Sequence, residues 1–540
     1  MPKMFNSVSR VFPVHHRLLF RISFSVFFAL AWLSCNTAQA QATTYALGTA
    51  SLLVGPAAGS NSVVLAVTPA TGGWTNTANA TWLHLSAANQ NGAGSTNIVF
   101  SYDANGGATR SGALTIANQT LTVLQAGLTY VSAGSLTTLV SSGLAFPQSL
   151  AVDGAGNVYI ADTDNNAIKE WSPSNNSVTT LVSSNLDSPY AVAVDGGGNI
   201  YIADFYDQAI KEWMPSTSNL TTLSSSIEPQ GVAVDGAGNV YFSDAGDEAL
   251  KEWTRANSNV TILSSVGNEP SGLSIDVAGN VYVAGFGTSK ITEWRAANSK
   301  LTTLGPLSVL FLQDVAVDGS GNVYFTTETS IDKWTAANGN TTLFSAGPVY
   351  PNGVVVDGAG NVYMAGYSDI AGYSAITEIP HAFVDPTPKS ENLGAGTDAL
   401  PLVLPATVNL LPPFAPTSDQ AWLTIAGITN GIVSFSFAAN TGLSRTAHIT
   451  LLGQSIPITQ AGVTPPSLTG LQMVGNGVIQ FAFTNNPAGS FTVLSSTNLS
   501  LPLTNWMVAG SATNTGSGQF QFTSQPTTND SQRFYIVVSP

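Results

Sequence analysis

One phrase, written six times between Pro147 and Ile379, limits what this chain can fold into more than any other feature of its 540 residues. It first reads Pro147-Gln-Ser-Leu-Ala-Val-Asp153-Gly-Ala-Gly156-Asn157-Val-Tyr159-Ile-Ala-Asp162, and after a short interval comes Ala167-Ile-Lys-Glu-Trp171. The phrase restarts at Pro189, Pro229, Pro270, Leu312 and Pro351. Its turn aspartates, Asp153, Asp195, Asp235, Asp276, Asp318 and Asp357, lie 42, 40, 41, 42 and 39 residues apart, and a fixed period of that size marks a solenoid or a propeller.

Each unit reads as four short strands. Two apolar, β-branched runs flank Asp-Gly-x-Gly-Asn, a reversal in which Gly and Asn tolerate positive φ, so they form a hairpin. A third strand ends at Trp171 and a fourth covers Ser177-Val-Thr-Thr-Leu-Val182, with no helical period between them. Repeated sheets of this kind bury both faces only against neighbours, and a ring leaves no unpaired end, so the spacing predicts a six-bladed β-propeller over residues 134–379. The sixth unit lacks a fourth strand, because Pro380 follows Ile379. Upstream, however, Gly134-Ser-Leu-Thr-Thr-Leu-Val140 repeats the fourth-strand sequence, and it is expected to close the last blade beside residues 375–379, offsetting the loop-closure entropy of the ring.

The repeat resembles the NHL family. Pro229-Gln-Gly231-Val-Ala-Val-Asp235-Gly-Ala-Gly238-Asn239-Val-Tyr241-Phe-Ser-Asp244 follows its pattern position by position. The resemblance implies a propeller that usually binds proteins, sugars or nucleic acid, with enzymes a minority.

Charge narrows the partners. Charged residues make up 9% of the chain against roughly 25% in an average soluble protein, and the formal net charge is -15. Lys3, Arg10, Arg17 and Arg21 precede an apolar run, residues 22–33, that is too short to span a bilayer and leads to Ala38-Gln39-Ala40, so residues 1–40 read as a signal peptide. Removing those four cations takes the net charge to -19. A basic stripe for nucleic acid is therefore not expected, and the protein should be secreted, periplasmic or on the cell surface. The sole cysteine, Cys35, falls in the leader, so the mature chain has no disulfide, and plain cleavage is favoured over lipidation there.

Two further all-β modules flank the repeats, at residues 45–127 and 389–462. They share Trp82-Leu83 and Trp422-Leu423, an Asn five residues before an Arg (Asn105 and Arg110, Asn440 and Arg445), and a Gln fifteen beyond it (Gln125, Gln460) that opens Gln-Ala-Gly. Both resemble BACON domains, small immunoglobulin-like sandwiches of exported bacterial proteins. That resemblance implies spacers or carbohydrate binders, although an early Trp beside Leu is more simply core. Residues 128–133, 380–391 and 463–466 read as linkers, the Pro-rich ones stiff. Residues 467–540 read as a last β-sandwich, similar to a C-terminal module found in exported proteins of soil bacteria such as Verrucomicrobia.

The second strand ends in Asp162, Asp204 and Asp244 in the first three units but in Gly285, Thr327 and Gly366 in the others, with Asp164, Asp207 and Asp247 just beyond. These six carboxylates would crowd half of one rim and are the candidate ligand-binding residues, against the alternative that they cap their own turns. The aspartates of the Val-Asp-Gly turn occur in every unit and read as backbone supports, and Trp171, Trp213, Trp253, Trp294 and Trp334 as packing between blades. No cofactor is expected, calcium being the one ion that Asp and Asn oxygens would admit. His84, His381 and His448 fall in separate regions, and no catalytic constellation is apparent. The sequence thus points to an exported all-β binding protein, expected to be a monomer, whose partner is an extracellular or envelope protein or glycan. The competing reading is a calcium-dependent hydrolase or lyase working at the acidic half-rim.

Overall fold

The structure, a computed structural model, describes residues 42–538 apart from 135, 268, 306–310, 340, 346–349, 369–372, 463–467, 476, 486–489 and 526–531. The leader with Cys35 and the linker at 463–466 lie outside the described residues. Every described element is a strand except three short 3-10 turns, and no described helix is long and apolar enough to cross a membrane.

The repeats form six four-stranded antiparallel sheets. In the first, Pro147–Val152, Val158–Asp162, Ala167–Ser172 and Ser177–Val182 pair in sequence order, and the next four units repeat that order. The sixth is completed from upstream: Thr137–Val140 pairs with Tyr373–Ile379, with Thr137 opposite Glu378 and Val140 opposite Ile376. The expected closing strand is therefore the one found. Innermost strands contact their neighbours from unit to unit, and that of the sixth, Tyr350–Val356, contacts that of the first.

Burial explains this arrangement. Within the repeats the apolar clusters join successive sheets: Ile160 and Trp171 of unit one meet Tyr363 and Ile376 of unit six, and Ile168 of unit one meets Ile200 and Ile202 of unit two. Trp171 is fully buried, and Trp253 and Trp294 are nearly so, which agrees with packing between sheets. At the opposite edge the turn aspartates do the same work in all six units. Asp153 Oδ1 accepts the N–H of Ala155 and of Asn157, while Oδ2 accepts from Asn157 Nδ2 and the Tyr159 hydroxyl. Gly156 supplies the positive φ (83°) that this reversal needs.

The two flanking modules are built on the same polar pair. Arg110 and Gln125 face each other across a hairpin, with Arg110 Nε 2.9 Å from Gln125 Oε1, and Arg445 and Gln460 repeat that bond at 2.9 Å. The shared fifteen-residue interval is thus a cross-strand pair. Asn105 and Asn440 each bridge two backbone carbonyls near the end of the same hairpin.

The expectation that residues 128–133 act as a linker and 380–391 as a stiff spacer is corrected, because the two segments pair with each other. Val131–Ser132 pairs antiparallel with Phe383–Val384, the Tyr130 hydroxyl donates to Leu402 O at 2.9 Å, and Thr129 Oγ1 donates to Asp385 at 2.7 Å. Burial drives this pairing, because Phe383 and Val384 are both nearly inaccessible. The first flanking module also docks on the fifth repeat: Val64 N–H donates to Gly319 O at 3.0 Å and Ser62 Oγ to Ser320 O. A Cβ on Gly319 would lie 2.4 Å from Gly48 O, so only glycine permits that approach.

Candidate functional site

Pairing of Pro147 with Asp162, matched in every unit but the fifth, places the start of these inner strands and the end of the second strands on one edge. A cavity lined by residues of all six units opens there, with a volume of ≈ 720 Å³. It lies within the ~300–1,000 Å³ typical of small-ligand sites.

The sequence-predicted carboxylates divide into two groups. Asp162, Asp204 and Asp244 are buried, and Lys169, Lys211 and Lys251 each place Nζ 2.6 Å from one of their oxygens. Their other oxygens accept backbone N–H groups of Ala145, Asp187 and Glu228, at 2.7, 2.8 and 3.0 Å. Asp207 and Asp247 reach the same lysines, Lys211 and Lys251, from the surface, whereas Asp164 is exposed. Burial works against the Lys211 ammonium, but Asp204 and Asp207 more than offset it and hold its pKa above the ordinary lysine value. An ammonium therefore already stands where a cation would bind five of the six, and Asp244 and Asp247 additionally line a small cleft of ≈ 240 Å³ with Glu228.

The signal for these lysines is present in the sequence. Lys169, Lys211 and Lys251 occur in the units that carry Asp162, Asp204 and Asp244, and Thr292, Asp332 and Thr377 replace them where the aspartate is replaced. Loss of both partners together is what a buried ion pair requires, since a lone charge left inside would be costly.

What faces this cavity is the second residue of each repeat: Gln148, Tyr190, Gln230, Ser271, Gln313 and Asn352. The side-chain amides of Gln148, Gln230 and Gln313 are half-buried and make no hydrogen bond among the described residues. Aromatic rings gather at the same mouth. Tyr190 stacks on Phe205 at 4.3 Å, Phe146 lies 4.6 Å from Tyr367, and Phe286 lies 5.5 Å from Phe311. Phe146 and Phe311 hold φ of 52° and 58°, as Ser188 and Glu269 do at the same place in their repeats, so this left-handed conformation belongs to the turn that leads into the inner strand.

The third residue of each repeat is small, Ser149, Ala191, Gly231, Gly272 and Gly353, except in unit five, where it is Asp314. Asp314 is buried and lines both the cavity and a second chamber of ≈ 160 Å³ beyond it, walled by valines and alanines. Its oxygens accept the N–H groups of Val315 (2.9 Å) and Val354 (3.0 Å), and burial pushes its pKa up to about 7. Sequence reasoning missed this carboxylate, although the exception at the third position was its signal.

The flanking tryptophans offer no free face for a sugar. Arg110 lies over Trp82 at 4.4 Å and Arg445 over Trp422 at 4.2 Å, and both rings pack into module cores. Among the described residues no group of three or more His, Cys, Asp or Glu could hold a metal ion.

Three family models match parts of the chain: the NHL repeat at residues 144–171, the SBBP β-propeller repeat at 341–374, and the BACON model of an N-terminal binding domain at 72–126 and 415–461. No curated protein matches. Among solved structures, the chain is similar to a nidogen/laminin complex at 22% identity, covering 37% of this chain and 79% of that chain with a TM-score of 0.34. A gluconolactonase from Xanthomonas campestris matches at 15% identity over 45% and 89%, with a TM-score of 0.39. A protein of unknown function from Bacteroides thetaiotaomicron matches at 12% over 63% and 98%, with a TM-score of 0.41. With its repeats and their sheets described, the chain is an all-β protein that carries NHL and SBBP propeller repeats, with a BACON match on either side of them.

Proposed function

We propose that this is an exported, non-catalytic binding protein whose six sheets form one six-bladed propeller and whose axial mouth holds a glycan. The propeller spans residues 134–379, between immunoglobulin-like modules at 45–127 and 389–462, with a terminal sandwich at 467–540. The observation that carries this reading is the ring of second-position side chains, in which three glutamine amides have no partner among the described residues. A sugar offers hydroxyls that both donate and accept, matching amides that do the same, and its C–H faces match Tyr190, Phe146 and Phe286. The calcium-dependent enzyme finds less support, because lysines occupy the buried carboxylates of the acidic half-rim.

The test is binding of the mature full-length chain to an array of envelope and plant glycans, repeated with Tyr190→Ala and Phe286→Ala combined. Retention of a glycan by the parent and its loss in the variant are expected. Retention unchanged in the variant would move the site away from the mouth and overturn the reading.

A further inference from the structure

The axial cavity holds three carboxylates, Asp314, Glu228 and Glu269, and among the described residues no lysine, arginine or histidine lines it. Two of them, Glu228 and Glu269, stand exposed at the mouth, where water screens them. Asp314 differs. It is buried at the waist between two chambers, and its hydrogen-bond donors are neutral backbone groups.

The fold does not need a carboxylate at this position. The other five units carry Ser149, Ala191, Gly231, Gly272 or Gly353 there and still form the same sheet. Unit four accommodates the exception: a Cβ on Gly272 would lie 2.0 Å from Asp314 Oδ1, so the glycine leaves the space that Asp314 fills. Buried carboxylates are ordinarily paired with a cation, as Asp162, Asp204 and Asp244 are in this same protein. Asp314 has no such partner among the described residues, and it faces a cavity large enough to admit one from outside.

We infer that the axial cavity is selective for a cationic sugar, with Asp314 the counter-charge for an amino group and the aromatic rings of the mouth flanking it. Amino-sugar chemistry fits both halves of the cavity. The glutamine ring engages hydroxyls, an ammonium reaches toward the waist, and the negative faces of Tyr190 and Phe286 favour the same charge. This inference rests on the channel-mouth reading and adds charge selectivity to it. With no cation beside it, burial holds Asp314 largely protonated below neutral pH, so a bound cation draws out its proton.

The experiment uses titration calorimetry of the mature full-length chain with two trimers of equal length, one of N,N,N-trimethylated glucosamine and one of N-acetylglucosamine. The first carries a charge that no pH change removes, and the second is neutral. The expected result is a preference of about tenfold for the cationic trimer, with proton release measurable in buffers of different ionisation enthalpy. In Asp314→Ser, which installs the residue of unit one, the preference should fall most of the way to what the rings and mouth glutamates supply, and the proton release should vanish; Asp314→Asn keeps the side-chain shape should the serine variant fold poorly. Equal binding of the two trimers, or a preference that both variants leave undiminished, would overturn the inference. Equal binding that Tyr190→Ala with Phe286→Ala abolishes would leave the channel-mouth reading standing without charge selectivity, whereas no binding of either trimer would overturn the inference and leave the array result to decide the mouth.

Discussion

Lys211 Nζ lies 2.6 Å from Asp204 Oδ2, with the carboxylate fully buried and the lysine side chain 8% exposed, and the same pair recurs as Lys251 with Asp244. Lys169 and Asp162 make it a third time, so the first three sheets hold an internal ion pair at a position where the last three carry Gly285, Thr327 and Gly366. Such a pair need not add stability over an apolar substitute, but breaking it by removing one partner is costly.

The single substitution Lys211→Thr should therefore destabilise the protein by about 3 kcal/mol or more, because Asp204 is left buried without its cation. Adding Asp204→Gly, which recreates the Gly285 and Thr292 combination of unit four, should recover much of the loss. Denaturant unfolding of the parent, both single variants and the double variant measures the coupling. Strict additivity would mean that the pair is not an energetic unit.

Asp314 gives a pH dependence of definite sign. Its folded pKa of about 7 exceeds the ordinary 3.8, so the folded state binds the extra proton between those values, and the residue's contribution to stability falls as pH rises through that window. A pKa raised that far costs about 4 kcal/mol at most, reached above neutral pH. Asp314→Ser removes the acceptors of the Val315 and Val354 N–H groups at every pH, so the effect to read is the pH difference: the variant's midpoint relative to the parent should be more favourable at pH 8 than at pH 5. A difference equal at both values would show that the carboxylate is not held protonated.

Within the flanking modules, Gln125 is fully buried, accepting from Arg110 Nε and donating to Asp103 O at 3.0 Å. Its replacement by Ala should cost about 1–3 kcal/mol through the groups left unsatisfied. Gln460→Ala should cost a similar amount, since Gln460 makes the same bonds to Arg445 and Ala438 O. Thermal unfolding of the two variants compares them, and a marked inequality would separate the modules energetically.

Addition of millimolar calcium should leave the melting midpoint unchanged. A ligand that binds only the folded state must raise it, and the lysines already neutralise Asp162, Asp204 and Asp244. Scanning calorimetry with calcium and with a chelator decides between the two, and a rise with calcium would restore the acidic rim as an ion site.

Much of the architecture was legible because periodicity carries it. The interval between Asp153 and Asp195 announces the repeat, and the shared Thr-Thr-Leu-Val ending at Val140 and Val182 identifies the strand that pairs with Tyr373–Ile379. The site was less legible. Asp162, Asp204 and Asp244 stood out as carboxylates at strand ends, but their partners are seven residues later on a neighbouring strand, so seeing Lys169, Lys211 and Lys251 requires the hairpin register. Asp314 stood hidden for a different reason: its meaning lies in being the exception among Ser149, Ala191, Gly231, Gly272 and Gly353, and a regular pattern draws attention to what agrees with it. The pairing of Val131 with Val384, and the contact of Val64 with Gly319, could not be read at all. They depend on complementarity between distant surfaces, which no local period encodes.

The short ladder of Val131–Ser132 with Phe383–Val384 has a mechanical consequence. The chain enters and leaves the repeats side by side, so tension applied between the two termini, by flow or by an anchored ligand, meets this clasp before it reaches the sheets of the repeats. The clasp and the seat of the first module on Gly319 and Ser320 would share that load, and both would have to open before the repeat sheets are pulled.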